Sequence, residues 1–173
     1  MEHRFMWSSR PSASPPSDIA FIVQNPALGA GALWRAAAGH AKRHQQGLPV
    51  PLAFVVLPMV FHGPTLKEIT STRTGSGLAR LTSKFKNQED DLQAIQRRAL
   101  RMRPLSFDAL ALASATGLVR IDYDAATAMP VDQSPKPAVE AGSKAILDGA
   151  EKLGTWFAEH SLHHIAAMLR LDF

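Results

Sequence analysis

With 173 residues, 46% of them apolar and 20% charged, the chain has the means to bury one core and lies far from the polar composition of disordered polypeptides. It contains no cysteine, which excludes disulfides, thiol nucleophiles and cysteine-ligated zinc. The apolar stretch from Leu48 to Phe61 is too short to cross a bilayer and is broken by Pro49, Pro51 and Pro58, so no membrane span is expected, while a net charge of +4 favours acidic or phosphate-bearing partners.

Residues 1–17 are rich in Ser, Pro and Arg, and Pro11, Pro15 and Pro16 deny them helical hydrogen bonds. They read as a flexible leader with no apolar signal region, which makes the cytoplasm the expected compartment. Within that leader Phe5, Met6 and Trp7 form an apolar triplet expected to dock on the folded part. A single domain is expected over residues 18–173, its structure starting at Asp18 to Val23. Asn25 is placed to cap a helix with Pro26 in its first turn, running to about Arg43. Gly29, Gly31 and Gly39 in its interior each cost up to about 1 kcal/mol of helix propensity, so close approach of another helix is the expected compensation.

Leu52 to Phe61 is apolar on every side and is read as a buried helix that stops at Gly63-Pro64. Thr65 and Glu68 have capping-box spacing for a short helix, and the polar turn Ser71 to Gly77 leads to a second, Leu78 to Phe85, with Leu78, Leu81 and Phe85 on one face. Asn87 can cap a longer helix whose acidic start, Glu89-Asp90-Asp91, and basic end, Arg97, Arg98, Arg101 and Arg103, complement the helix dipole. Beyond Pro104 a helix is expected from Ser106 to about Ala115, then a strand over residues 118–123, a turn, and a second strand from Thr127 to Val131. Gln133 to Pro137 reads as a linker. A helix over residues 139–159 buries Ile146, Ala150, Leu153 and Phe157, and a terminal helix lies between Ser161 and Leu171. The fold class is therefore mainly α with a small β-hairpin. The order of elements is that of a winged-helix-like domain, with Ser71 to Gly77 as the turn and residues 118–131 as the wing.

Arg73, Arg80, Lys84 and Lys86 lie on or beside the second short helix and are the candidate nucleic-acid contacts. A solvated basic face, or one docked on an acidic subunit, would use the same residues. Trp34 and Arg35 are the candidate partner contacts, because an aromatic beside an arginine is the usual make-up of interface anchors. His160, His163 and His164 have helical spacing without an evident carboxylate, and His40 and His44 are four apart, so both groups read as surface or interface histidines and not as metal ligands. Thr74-Gly75-Ser76-Gly77 lacks the Gly-Lys-Ser/Thr of a phosphate-binding loop. Neighbouring carboxylates, Glu89 to Asp91 and Asp122 with Asp124, are explained by capping and turn chemistry. No catalytic residue, metal or cofactor is assigned.

Three blocks in order carry a resemblance: Asn25-Pro26-Ala27-Leu28-Gly29-Ala30 with Leu33-Trp34-Arg35; Pro51-Leu52 through Val56-Leu57-Pro58 to His62-Gly63-Pro64-Thr65; and Lys152-Leu153-Gly154-Thr155-Trp156-Phe157 with Ala167 to Leu171. Together the chain resembles the middle components of prokaryotic three-component ABC-ATPase (ABC-3C) systems. The resemblance implies a non-catalytic adaptor coupling an SMC- or RecF-like ABC ATPase to a third, effector protein in defence against phages and plasmids. The leader, and an ending at Leu169 to Phe173 without a Leu-Gly-Val-like sequence, depart from that pattern. A stand-alone winged-helix DNA-binding regulator and a small hydrolytic effector are the alternative readings.

Overall fold

The structure is a computed structural model and describes residues 25–85, 89–131 and 141–172. The leader, the expected start at Asp18 to Val23, the Asn87 cap, Lys86 and the Gln133 to Pro137 linker lie outside the described residues.

Helix α1 (Pro26–His44) starts as its sequence dictates: the Asn25 Oδ1 accepts from the Ala27 N–H at 2.9 Å, and Pro26 occupies the first turn. It ends at Gln45, which adopts a left-handed conformation with φ 53°. A two-residue strand, β1 (Leu48–Pro49), leads directly into α2 (Val50–Val60), whose side chains are buried from Leu52 to Val60 apart from half-buried Phe54. Pro58 sits inside α2 and cannot donate a backbone hydrogen bond, but its carbonyl is used, accepting from Arg98 Nε at 3.3 Å.

Helix α3 (Gly63–Ser71) begins earlier than the Thr65–Glu68 spacing predicts. His62 is the cap: its Nδ1 accepts from the Thr65 hydroxyl at 2.8 Å and from the Thr65 N–H at 3.4 Å, while Pro64 takes up the first turn instead of ending a helix. After a single 3-10 turn (Thr74–Ser76), Gly77 with φ 71° opens α4 (Gly77–Phe85). Helices α5 (Glu89–Arg101) and α6 (Arg103–Ala115) meet at Met102. Again the proline, Pro104, lies in the first turn, so α6 starts ahead of the expected Ser106.

Strands β2 (Val119–Asp122) and β3 (Thr127–Pro130) form the expected hairpin, and β1 adds a third strand in the order β1-β3-β2, all antiparallel, with Leu48 opposite Ala128 and Ile121 opposite Ala128. Helices α7 (Ala141–Phe157) and α8 (Leu162–Leu169) complete the chain, α8 being capped by Ser161 Oγ, which accepts from the His164 N–H at 3.2 Å.

The molecule is thus mainly helical with one small antiparallel sheet. Helix α1 runs through its centre, packed along α7 on one side and α6 on another, and the described elements share one buried core that includes Leu33, Leu57, Ile69, Leu81, Ile95, Trp156 and Phe157. The wing expected from the element order finds no support in this packing. The hairpin lies against α1 and α6, whereas α4 packs on α3, α5, α7 and α8. Among the described residues no single helix is long and apolar enough to cross a membrane; α2 and α3 together come closest by composition but are bent by 101°.

Candidate interaction surface

Most of the distinctive residues are spent on packing. On α1 and α7, a Cβ added to Gly39 would sit 2.1 Å from the Glu151 carbonyl oxygen, and one added to Gly154 would sit 1.9 Å from that of Ala36. Only hydrogen fits at either position, so the two backbones touch where the glycines cross. Glycine at position 29 serves the same purpose toward α6, where Ala109 Cβ would be 2.8 Å from an added methyl.

Two further side chains of α7 hold the α3–α4 connection. Lys152 Nζ donates to the carbonyls of Ile69, Thr70 and Thr72 at 3.2, 3.1 and 2.9 Å, gathering the acceptors at the end of α3 onto one ammonium. Burial pushes the Lys152 ammonium below its ordinary pKa, Asp148 opposes this, and nearby Lys84 adds to it. Trp156 is fully buried and its Nε1 donates to the Thr74 carbonyl at 2.6 Å, fixing the 3-10 turn. The block from Lys152 to Phe157 is therefore an internal clamp.

Trp34 is half-buried against the core, and Arg35 reaches from α1 across to α7, paired with Asp148 at 3.3 Å and with Glu151. Its side chain retains 29% exposure, and its guanidinium stands 6.0 Å from the Trp34 ring centroid. Lys144 and then Arg35 hold the Asp148 carboxyl below its usual pKa against a desolvation that raises it. Arg73 and Arg80 are exposed and make no ion pair among the described residues. Lys84 is turned inward: it pairs with Glu68 at 2.9 Å and donates to Ser71 Oγ at 2.9 Å, tying α4 back to α3. The His160 and His164 rings stack with centroids 5.0 Å apart.

A groove of about 340 Å³ between α2, α5, α6 and the residues after α8 escaped the sequence reading. Leu100 and Phe107 border it and are 60% and 51% exposed, unusually open for residues of their kind. Phe107 packs edge-on to Phe54, with centroids 4.7 Å apart and the rings at 70°, and the Arg103 guanidinium lies 5.7 Å from its centroid. At one end Gln96 Nε2 donates to the Asp172 carbonyl at 3.2 Å, fastening the residues after α8 to α5. A sequence signal for the groove did exist. Buried Leu92 and Ile95 define the core stripe of α5, and Leu100, five residues after Ile95, falls off it among exposed arginines.

The fold and this surface define a helical packing protein whose motif residues shape the backbone and leave an apolar groove open. A family model described as ABC-three component (ABC-3C) system Middle Component 3 matches residues 14–173, and the chain belongs to that family. No curated protein and no solved structure matches it.

Proposed function

We propose that the protein is a non-catalytic adaptor that joins an SMC- or RecF-like ABC ATPase to an effector protein within an ABC-3C defence system. The observation that carries this reading is the family match over residues 14–173, because a middle component of a multi-component system acts by contacting the others. The role of the motif residues agrees with it: Gly39, Lys152, Gly154 and Trp156 are engaged in helix packing and capping, not turned toward a cleft. Trp34 and Arg35, half-exposed on the α1–α7 seam, are candidate partner contacts. Arg73, Arg80, Lys84 and Lys86 are the candidate contacts to DNA, and the openness of Arg73 and Arg80 favours them among the four.

Co-expression with the proteins encoded by the flanking genes tests the reading. A stable complex with the ATPase, purified through a tag on this chain, is the expected result. A chain that elutes alone and turns over a substrate would reject it.

A further inference from the structure

We propose that the outer edge of β2 pairs with the same edge of a second copy of this chain, antiparallel and centred on Ile121, so that Arg120 of each strand faces Asp122 of the other. The inference is independent of the adaptor reading and goes beyond it by giving the chain a surface for its own kind.

The hydrogen-bond pattern leaves that edge open. The Val131 N–H donates to the Leu118 carbonyl at 2.9 Å, and an antiparallel ladder alternates, so Leu118, Arg120 and Asp122 turn their backbone groups toward β3. Val119 and Ile121 turn theirs outward, where among the described residues they make no backbone hydrogen bond to another element. The opposite edge of the sheet, β1, has only two residues and runs directly into α2. An unpaired edge is a template for another strand, and charges commonly guard it. On this edge the two charges are of opposite sign.

Those side chains select both the occupant and the register. Arg120 and Asp122 are exposed, two residues apart on the face away from the core, and neither forms an ion pair among the described residues. Asp122 Oδ1 accepts from the N–H groups of Asp124 and Ala125, which leaves Oδ2 for a cation. An antiparallel strand fitting this edge must offer a carboxylate opposite Arg120 and a cation opposite Asp122, with one residue between them. Arg120-Ile121-Asp122 meets that requirement itself when turned about a two-fold axis. With Ile121 opposite Ile121, the outward backbone groups meet as a hydrogen-bonded pair, and both Arg–Asp contacts fall at non-hydrogen-bonded positions, where side chains stand closest.

The neighbouring registers that keep Val119 and Ile121 facing the second copy set Arg120 against Arg120 or Asp122 against Asp122, so charge pins the pairing. The same register brings Tyr123, 84% exposed at the start of the turn, opposite Val119 of the second copy. The sheet then runs through the dimer in the order β1-β3-β2-β2-β3-β1. Four paired residues a side is a small contact beside the roughly 1,200–2,000 Å² of stable interfaces, so the dimer depends on concentration.

Sedimentation equilibrium of the full-length chain across a wide range of concentration at low salt tests the proposal. The expected result is a monomer–dimer equilibrium that Arg120→Asp weakens about tenfold or more, because two attractive contacts become repulsive. Asp122→Arg should weaken it as well, and an equal mixture of the two variants should recover it as a heterodimer. The chain has no native cysteine, so Ile121→Cys adds a reporter at the axis. Oxidation should link it into dimers faster than Arg73→Cys, an exposed position outside the sheet. This second measurement decides the matter if Asp122→Arg, which removes the turn's acceptor, fails to fold.

The proposal falls if the chain is monomeric at every concentration, or if Arg120→Asp dimerises as well as the unaltered chain. It also falls if Ile121→Cys links no faster than Arg73→Cys, or if the mixture of folded charge variants stays monomeric. A dimer that Phe107→Asp dissolves and Arg120→Asp does not would place the contact at the groove and reject the edge.

Discussion

Single atoms decide the seam between α1 and α7. Because the Ala36 carbonyl stands where a Gly154 methyl would be, Gly154→Ala must push two backbones apart and should cost about 1–3 kcal/mol or more, as overpacking does. Gly142, with nothing within 4 Å of its added Cβ, is the control: Gly142→Ala should be neutral or stabilise α7 by up to about 1 kcal/mol, and thermal melts of the two variants separate the cases. His40 links the same region to pH. It is 7% exposed, and its Nδ1 lies 3.1 Å from the Gln46 carbonyl, which can only accept, so the neutral ring carries its proton there. Burial, first, and His44 lower its pKa below 6.5 against the raising effect of that bond. Between the folded value and 6.5 the unfolded chain holds more protons, so this contribution to stability is present above 6.5 and is lost as pH falls through the folded value. Melting temperature should therefore drop on acidification from neutrality, and His40→Gln should flatten that fall. Glycine spacing made the close approach in α1 legible in the sequence, but not its partner, which depends on a crossing point more than a hundred residues away in sequence.

At the scale of elements, the α3–α4 connection depends on α7. Trp156→Phe leaves the Thr74 carbonyl without its donor and a small cavity where the larger indole was fully buried, an expected loss of about 2–4 kcal/mol with faster amide exchange confined first to residues 72–77. Uniform exchange throughout the chain would show that the clamp is not local. Helix boundaries were readable where a cap and a proline agreed, as at Asn25-Pro26. They differ from the expected ones twice for one reason: Pro64 and Pro104 do not end or precede a helix but each occupy a first turn, where a missing N–H costs nothing. Strand β1 has only two residues and owes its existence to pairing with Ala128 and Thr127, a non-local contact without a periodic signal. The groove was legible in part through Leu100, but the residues that complete it come from α2, α6 and the tail.

On the scale of the whole molecule, one core binds the described elements, and the sequence's mainly helical, hairpin-bearing character is what the structure has. The winged-helix assignment is not confirmed, since element order constrains which pieces exist whereas the hairpin's place is set by its packing on α1 and α6. Surfaces rather than reacting groups then carry the proposed role, and the seam, the clamp and the groove are consequences of that economy. The most direct measurement is the mass of assemblies formed by the ATPase and the effector with and without this chain, read by light scattering after gel filtration. The account predicts a complex containing all three proteins when the chain is present and separate ATPase and effector when it is omitted. Association of those two proteins in its absence, with no gain on adding it, would contradict the account.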